Sequence, residues 1–417
     1  MVRTTITADS PSLMRRLNTV AVLGSIRDRG PISRPGLARE TGLSTPTIAH
    51  VVELLLDKGY VEEMDSSPDG APKRPGPRAK LLSFRATLGY VIGIDTGGDN
   101  TAAKLADLSG TVVAEARIQH TQPVRSEDVL NTIRAVTAHV LDEAAVSASD
   151  LHAITIGTPG VVDPGTGKIS LAPQIEGWDG LDLATELSDL ADCPIVIENE
   201  SHLSLLAERW MGRAREAVDV IFVQLGIGIG GAILMGGEIR RGSNGAAGEI
   251  AYIVTGGEDE DVPPESSIGA FEWFAGGQAY RRHGMRVAAT DAGALLLELA
   301  GGNQAAVTAR IVFEAAAQGD PAALEITSML LGRLGRGLAN IATTMNPELI
   351  LIGGGIANAG EVVLPPIRDV IERMTPYPPA IALSALGDDG TALGAVRRAL
   401  EVAEETTFSF LTVKQNQ

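Results

Sequence analysis

The sequence predicts an α/β protein carrying a small, separate, basic head, and three observations predict it. Apolar residues recur at helical spacing in short segments between residues 11 and 56, broken by Gly and Pro. Beyond residue 86, strand-like apolar runs end on glycine at four widely spaced places, with helical stretches between them. Charge is divided just as unevenly. Residues 1–85 hold 13 Lys/Arg against 9 Asp/Glu, although the whole chain holds 34 against 52 and a net charge of −18. A mildly basic head on an acidic body suits contact with a polyanion at one end only.

A chain of 417 residues exceeds one ordinary domain. The expected division is a head of residues 1–85 and a body of residues 86–417. With 44% hydrophobic and 21% charged residues the chain can bury a core, which excludes a disordered polyelectrolyte. It has no run of 18 apolar residues and no signal-peptide-like apolar core, so no membrane partner and a cytoplasmic location are expected. The single Cys193 excludes an intramolecular disulfide.

The head begins with a helix over residues 11–28, where Leu13, Leu17, Val20, Leu23 and Ile26 recur at helical spacing until Gly30-Pro31 stops it. Leu37 and Ala38 belong to a short second helix, Gly42 allows a tight turn, and Ser44 can cap a third. That third helix turns Ile48, Val51, Val52 and Leu55 inward, leaving Thr45, Pro46, Thr47 and His50 outward at its N-terminal end. Short polar side chains at a helix start are what a DNA major groove accepts, so Ser44, Thr45, Pro46, Thr47 and His50 are candidate DNA contacts. Gly59-Tyr60-Val61 then turns into a strand that returns as Lys80-Leu81-Leu82-Ser83-Phe84. The expected head is therefore a winged helix-turn-helix, the alternative a generic three-helix bundle. Between the strands, Lys73, Arg74 and Arg78 alternate with Pro and Gly. An extended basic segment of this kind can follow a phosphate backbone or enter a minor groove; read alone, it is a solvated linker.

In the body, YVIGIDTGG (90–98), ITIGTPGVVD (154–163), VIFVQLGIGIGGAILMGG (220–237) and LILIGGGI (349–356) are strands entering glycine turns. Residues 127–145, 201–211 and 321–345 are helical between them. Glycine turns at strand ends let backbone N–H groups approach a phosphate.

These segments, with IENESHLSLLAE (197–208) and above all GSNGAAGEI (242–250), resemble the ROK family of repressors and sugar kinases. The resemblance covers nearly the whole chain and implies the actin/hexokinase-like, two-lobed fold. One lobe is expected over about 86–197 plus a C-terminal helix at 387–403, the other over about 198–386.

Residue by residue, the resemblance divides retained from lost parts. The first phosphate loop of the kinases reads Asp-x-Gly-Gly-Thr; here Asp95, Gly97 and Gly98 stand and Asp99 occupies the Thr position. A carboxylate beside a triphosphate costs about 4 kcal/mol per unit-charge pair at ~4 Å in an effective dielectric of ~20. The second loop, Gly-Thr-Gly in kinases, is Gly226-Ile227-Gly228. The catalytic Asp of the kinases' Glu-Asn-Asp triplet is Glu200, one methylene longer, and general-base catalysis demands placement against one hydroxyl. No catalysis is expected.

The implied sugar contacts are Asn199, Glu200, Glu249 and Glu272, with Tyr252 replacing the His of the Glu-x-Gly-His motif. A Gln174 stands for a usual Asn, so an atypical sugar is expected, neutral sooner than phosphorylated beside so many carboxylates. Pairing of those carboxylates with Arg240 or Arg241 is the alternative. The family's structural zinc needs that His and three Cys; the segment 252–272 has none of them, so neither metal nor cofactor is expected. The resemblance thus implies a sugar-controlled regulator, a repressor before an activator, acting as a homodimer or homotetramer on an inverted-repeat operator in double-stranded DNA. An active ATP-dependent sugar kinase is the alternative.

Overall fold

The computed structural model describes residues 11–65, 80–254 and 268–407. In the head, α1 (Pro11–Arg29) is followed by β1 (Ile32–Ser33), α2 (Arg34–Thr41), α3 (Thr45–Asp57), β2 (Val61–Asp65) and β3 (Lys80–Phe84). The polar punctuation places the helices. Ser33 Oγ accepts the Gly36 N–H at 3.2 Å to open α2, and Gly42 closes it at φ 70°. Ser44 Oγ accepts the Thr47 N–H at 3.3 Å to open α3. Ile48, Val51, Val52 and Leu55 of α3 are buried with Leu37 and Leu82, and the strands pair in the order β1-β3-β2.

The first helix forms over Pro11–Arg29, but its helically spaced apolar residues do not share one buried face. Leu17 and Val20 are 51% and 46% exposed, and the buried face is Thr19, Val22, Leu23 and Ile26. The helix has 19 residues against 8 and 13 for the two it packs on, so its first half overhangs the small core.

The body holds two sheets of one design. The first contains β4 (Tyr90–Thr96), β5 (Asn100–Asp107), β6 (Val112–Gln119), then α4 (Ser126–Glu143), β7 (Leu151–Thr158), a short ribbon of β8 (Val161–Val162) and β9 (Ile169–Ser170), α5 (Leu183–Glu186) and β10 (Ile195–Asn199). Its order is β10-β7-β4-β5-β6, with β4-β5-β6 antiparallel and β4-β7-β10 parallel. After α6 (Glu200–Trp210) come β11 (Val220–Leu225), β12 (Ile229–Met235) and β13 (Glu238–Arg240). The helices α7 (Ala270–Ala275), α8 (Gly277–Ala288), α9 (Ala294–Leu299), α10 (Ala309–Ala317) and α11 (Pro321–Met345) follow. The described residues close with β14 (Leu349–Gly353), α12 (Leu364–Met374), β15 (Ala380–Leu383) and α13 (Gly390–Thr407). The second sheet, β13-β12-β11-β14-β15, again joins an antiparallel meander to two parallel strands. β4, β7, β11 and β14 read as continuous apolar runs because both of their faces are covered.

Strand β10 runs to Asn199, past the lobe boundary expected after residue 197, and the last helix spans Gly390–Thr407, where 387–403 was expected. That helix is the body's central strut. A Cβ on Gly394 would stand 1.8 Å from the Leu203 carbonyl oxygen, so only glycine lets α13 lie this close to α6. Ser204 Oγ and Thr391 Oγ1 share a hydrogen bond of 3.0 Å across the same contact. At its far end α13 meets the head, where Arg27 of α1 is ion-paired with Glu404. No helix among the described residues is long and apolar enough to cross a membrane.

Candidate functional site

A cleft of about 1240 Å³ opens at the carboxyl ends of the parallel strands of both sheets, the place where open α/β sheets bind ligands. The β4–β5 hairpin brings Asp95, Gly97, Gly98 and Asp99 to it; the β11–β12 hairpin brings Gly226, Ile227 and Gly228. The start of α6 contributes Asn199 and Glu200, and the segments before and within α7 contribute Glu249, Tyr252 and Glu272. All twelve body positions singled out in the sequence thus line one cavity, with Gln174 beside Gly98.

Their geometry assigns them unequal work. Asn199 is the N-cap of α6: its Oδ1 accepts the N–H groups of Ser201 (2.8 Å) and His202 (3.2 Å), and its Nδ2 donates to the Gly160 carbonyl (2.8 Å). Only one amide hydrogen is left over for a ligand, so Asn199 chiefly fixes its neighbour Glu200. Glu272 accepts the Ile229 N–H at 3.1 Å, and its carboxylate fills the space a Cβ on Gly228 would need, 2.4 Å away. The second glycine turn is therefore held by a carboxylate.

Burial raises the pKa of each carboxyl on the cleft floor. Glu200 is pushed up to about 8 by burial, then by Asp95 and Glu249. Asp95 rises to about 7 through burial, against the pull of Arg117 and with the push of Asp388 and Asp389. Glu249 is raised by burial and by Glu272, although His202 opposes it, and Glu272 by burial against its Ile229 hydrogen bond. Near neutrality Glu200 and Asp95 can hold protons, so the floor can both donate to and accept from hydroxyl groups.

The arginines named in the sequence go elsewhere. Arg240 pairs with Glu238 at 3.2 Å, and Arg241 with Glu198 at 2.6 Å. Among the described residues no Lys or Arg forms an ion pair with Glu200, Glu249 or Glu272. Glu198 also meets His202 Nδ1 at 3.0 Å, while His202 Nε2 faces the Ala247 carbonyl at 3.3 Å. Against the cost of burial, His202 and Arg241 hold the Glu198 carboxyl down at about 2.

This Glu198–His202–Arg241 cluster, behind the cleft, was missed by sequence reasoning. It fastens the segment 242–250 to the start of α6. In that segment Gly245, at φ 80°, faces the Val162 carbonyl oxygen so closely that a Cβ would stand 2.1 Å from it. Close backbone approach explains why this motif is so specific.

On the head, Ser44, Thr45, Pro46 and His50 are exposed on one end of α3, and Thr47 is half-buried. The hydroxyls of Ser44 and Thr47 bond each other at 2.8 Å. Lys73, Arg74 and Arg78 lie outside the described residues, as do residues 255–267 of the segment that lacks zinc ligands.

Two sheets of one pattern, a cleft at their strand ends and glycine turns facing a carboxylate floor define a two-lobed, sugar-kinase-like α/β fold. The chain belongs to the ROK family, whose sequence profile matches residues 91–401. It is 26% identical over 389 residues to the xylose repressor of Caldicellulosiruptor bescii, covering 92% of this chain and 96% of that protein. The structure of a ROK family glucokinase from Streptomyces griseus, in complex with glucose and AMPPNP, is 30% identical with a TM-score of 0.65, covering 75% of this chain and all (100%) of that one. A ROK family transcriptional regulator, a homologue of the E. coli Mlc protein, superposes over 96% of this chain and 99% of its own with a TM-score of 0.74 at 22% identity, a likeness of fold alone.

Proposed function

We propose that the chain is a sequence-specific DNA-binding transcription regulator, a repressor, controlled by a sugar bound in a cleft that does not transfer phosphate. The observation that carries this reading is one chain joining an exposed, polar helix start on a small head to a cleft whose two glycine turns lack phosphate-facing hydroxyls. In this reading residues 1–85 form a winged helix-turn-helix, and Ser44, Thr45, Pro46, Thr47 and His50 meet the major groove while Lys73, Arg74 and Arg78 meet phosphates. Asn199, Glu200, Glu249, Tyr252 and Glu272 surround the sugar. The likeness to the xylose repressor over 92% of this chain supports it.

Coupling follows from the strut. Sugar bound at Glu200 bears on the first residue of α6; α6 lies on α13, and α13 is tied to α1. Closing the cleft re-aims the head, and a homodimer or homotetramer in the cytoplasm converts that movement into a change of affinity for an inverted-repeat operator.

A second reading, an ATP-dependent sugar kinase, is favoured by the carboxylate of Glu200 at the base position and by the glucokinase likeness. Incubation with ATP and a panel of sugars decides between them. No phosphotransfer above background, together with sugar-dependent retardation of promoter DNA, is expected; turnover in the range of ordinary kinases overturns the regulator reading.

A further inference from the structure

The cleft is larger and more apolar than one sugar requires. Four of the large apolar side chains that the fold leaves exposed line it: Leu171 (43%), Ile227 (52%), Tyr252 (38%) and Val362 (62%). Exposed apolar residues scattered singly carry no message, but four in one concavity mark where an apolar ligand surface sits. Leu171 is held at φ 58°, a left-handed conformation rare for a branched side chain, so its exposure into the cleft is imposed by the surrounding structure.

The apolar side chains continue from the carboxylate floor. Ile227 is next to Gly228, over which the Glu272 carboxylate is folded, and its own carbonyl accepts the Gln278 N–H at 3.1 Å in the first turn of α8. Phe313 of α10 and Val362 belong to the same lining. The volume, about 1240 Å³, exceeds the ~300–1,000 Å³ typical of sites for drug-sized ligands.

Charge in this extension opposes a polyphosphate. Eight carboxyl groups line the cleft against three guanidinium groups, and four of the eight (Asp95, Glu200, Glu249 and Glu272) are the floor carboxyls whose ionisation burial opposes. Arg117 is bonded to Asp389 at 3.2 Å. Arg281 donates to the Ala305 carbonyl at 3.2 Å and keeps its charge, so Arg281 and Arg310 are the cations of the lining without a carboxylate partner among the described residues. Asp99, Glu314 and Asp388 meanwhile add negative charge beyond the floor, whereas Asp389 is paired with Arg117 and Lys104.

We infer that the effector is an uncharged two-ring ligand: a sugar seated on the carboxylate floor whose glycosidic substituent, a second sugar or an aryl group, lies over Ile227 and Val362. The inference rests on the reading of the floor as a sugar site and adds the class of sugar. The substituent occupies the space between the two glycine turns and α10. Ile227, where the kinases carry a hydroxyl, becomes the residue that selects for it.

Isothermal titration of the full chain tests this with glucose, xylose, galactose, mannose and N-acetylglucosamine, their p-nitrophenyl glycosides in both anomers, and disaccharides of the same sugars. At least one two-ring ligand is expected to bind at least about 10-fold tighter than its parent monosaccharide, equivalent to about 1.4 kcal/mol. Preference for the aryl glycosides or for the disaccharides identifies the substituent. Ile227→Asp with Val362→Asp is expected to remove that preference while the parent sugar binds as before. If that variant does not fold, Ile227→Thr with Val362→Thr carries the same expectation with a smaller loss. A monosaccharide binding as tightly as all its glycosides overturns the inference and leaves the sugar site standing. Binding of no sugar of either size overturns the sugar site itself.

Discussion

Arg27 on the head's first helix is ion-paired with Glu404, three residues from the end of the helix that braces the body. Both side chains are partly open to water, at 25% and 36% exposure, so the pair contributes at most about 1 kcal/mol to stability. Its consequence lies in where it sits. Glu404→Gln is expected to leave DNA affinity in the absence of sugar within about 3-fold of the wild type. The sugar-induced change in that affinity should shrink, since this contact transmits part of a coupling that typically amounts to about 1–3 kcal/mol. Fluorescence anisotropy with labelled promoter DNA, with and without ligand, measures both quantities. Coupling of full size in the variant would assign transmission to Phe84 and Leu400 packed beside the pair.

Glu198 is nearly inaccessible and satisfies both His202 and Arg241. Glu198→Ala leaves those partners without their carboxylate, a loss of about 3–5 kcal/mol for a fully buried pair and towards the lower figure here, because Arg241 can reach water. The pH dependence has a defined sign. A carboxyl held near 2 in the folded chain and near its ordinary value in the unfolded chain stabilises the fold above about pH 5. That contribution fades as pH falls from about 4.5 towards 2. Urea melts at pH 7 and pH 3 should therefore show a large difference between variant and wild type at the higher pH and a smaller one at the lower.

The cleft carboxyls act in the opposite sense. Asp95 and Glu200 are raised to about 7 and about 8, so the folded chain holds protons that the unfolded chain has released. Stability without ligand must then fall as pH rises from about 4.5 through 8. Glu200→Gln removes the titrating group and is expected to raise the melting temperature at pH 8.5 by about 1–2 °C, as about 1 kcal/mol would in a body of this size. The same variant should lose sugar-induced thermal stabilisation. An unchanged melting temperature at pH 8.5 would mean that Glu200 ionises freely.

Much of this arrangement is legible in the residues. Ser44 and Gly42 announce the ends of the head's helices, and glycine after an apolar run announces each turn at the cleft. What is not legible depends on three-dimensional register. The stripe Leu13-Leu17-Val20 has helical spacing, yet its periodicity cannot reveal that α1 outruns the small core beneath it. Glu198 and His202 stand either side of a strand-to-helix junction, so neither the period of a strand nor that of a helix pairs them. Asn199 looks like a ligand contact by type; only the backbone shows that its oxygen is spent on capping α6.

If the cleft transfers no phosphate, as proposed, because of three positions, restoring them should return the activity. Asp99→Thr removes a carboxylate from the first turn, Ile227→Thr returns a hydroxyl to the second, and Glu200→Asp shortens the base by one methylene. General-base placement alone contributes about 10²–10⁴-fold, and the two hydroxyls act on nucleotide binding. The triple variant is expected to bind an ATP analogue that the wild type does not retain, and to phosphorylate a sugar at a rate at least about 10-fold above wild-type background. Asp99→Thr alone should restore nucleotide binding in part without turnover. Turnover in the wild type equal to that of the triple variant would show that these substitutions never disabled the cleft. Absence of nucleotide binding in the triple variant would move the block to Asp388, Asp389 and Glu314, whose charges the three substitutions leave in place.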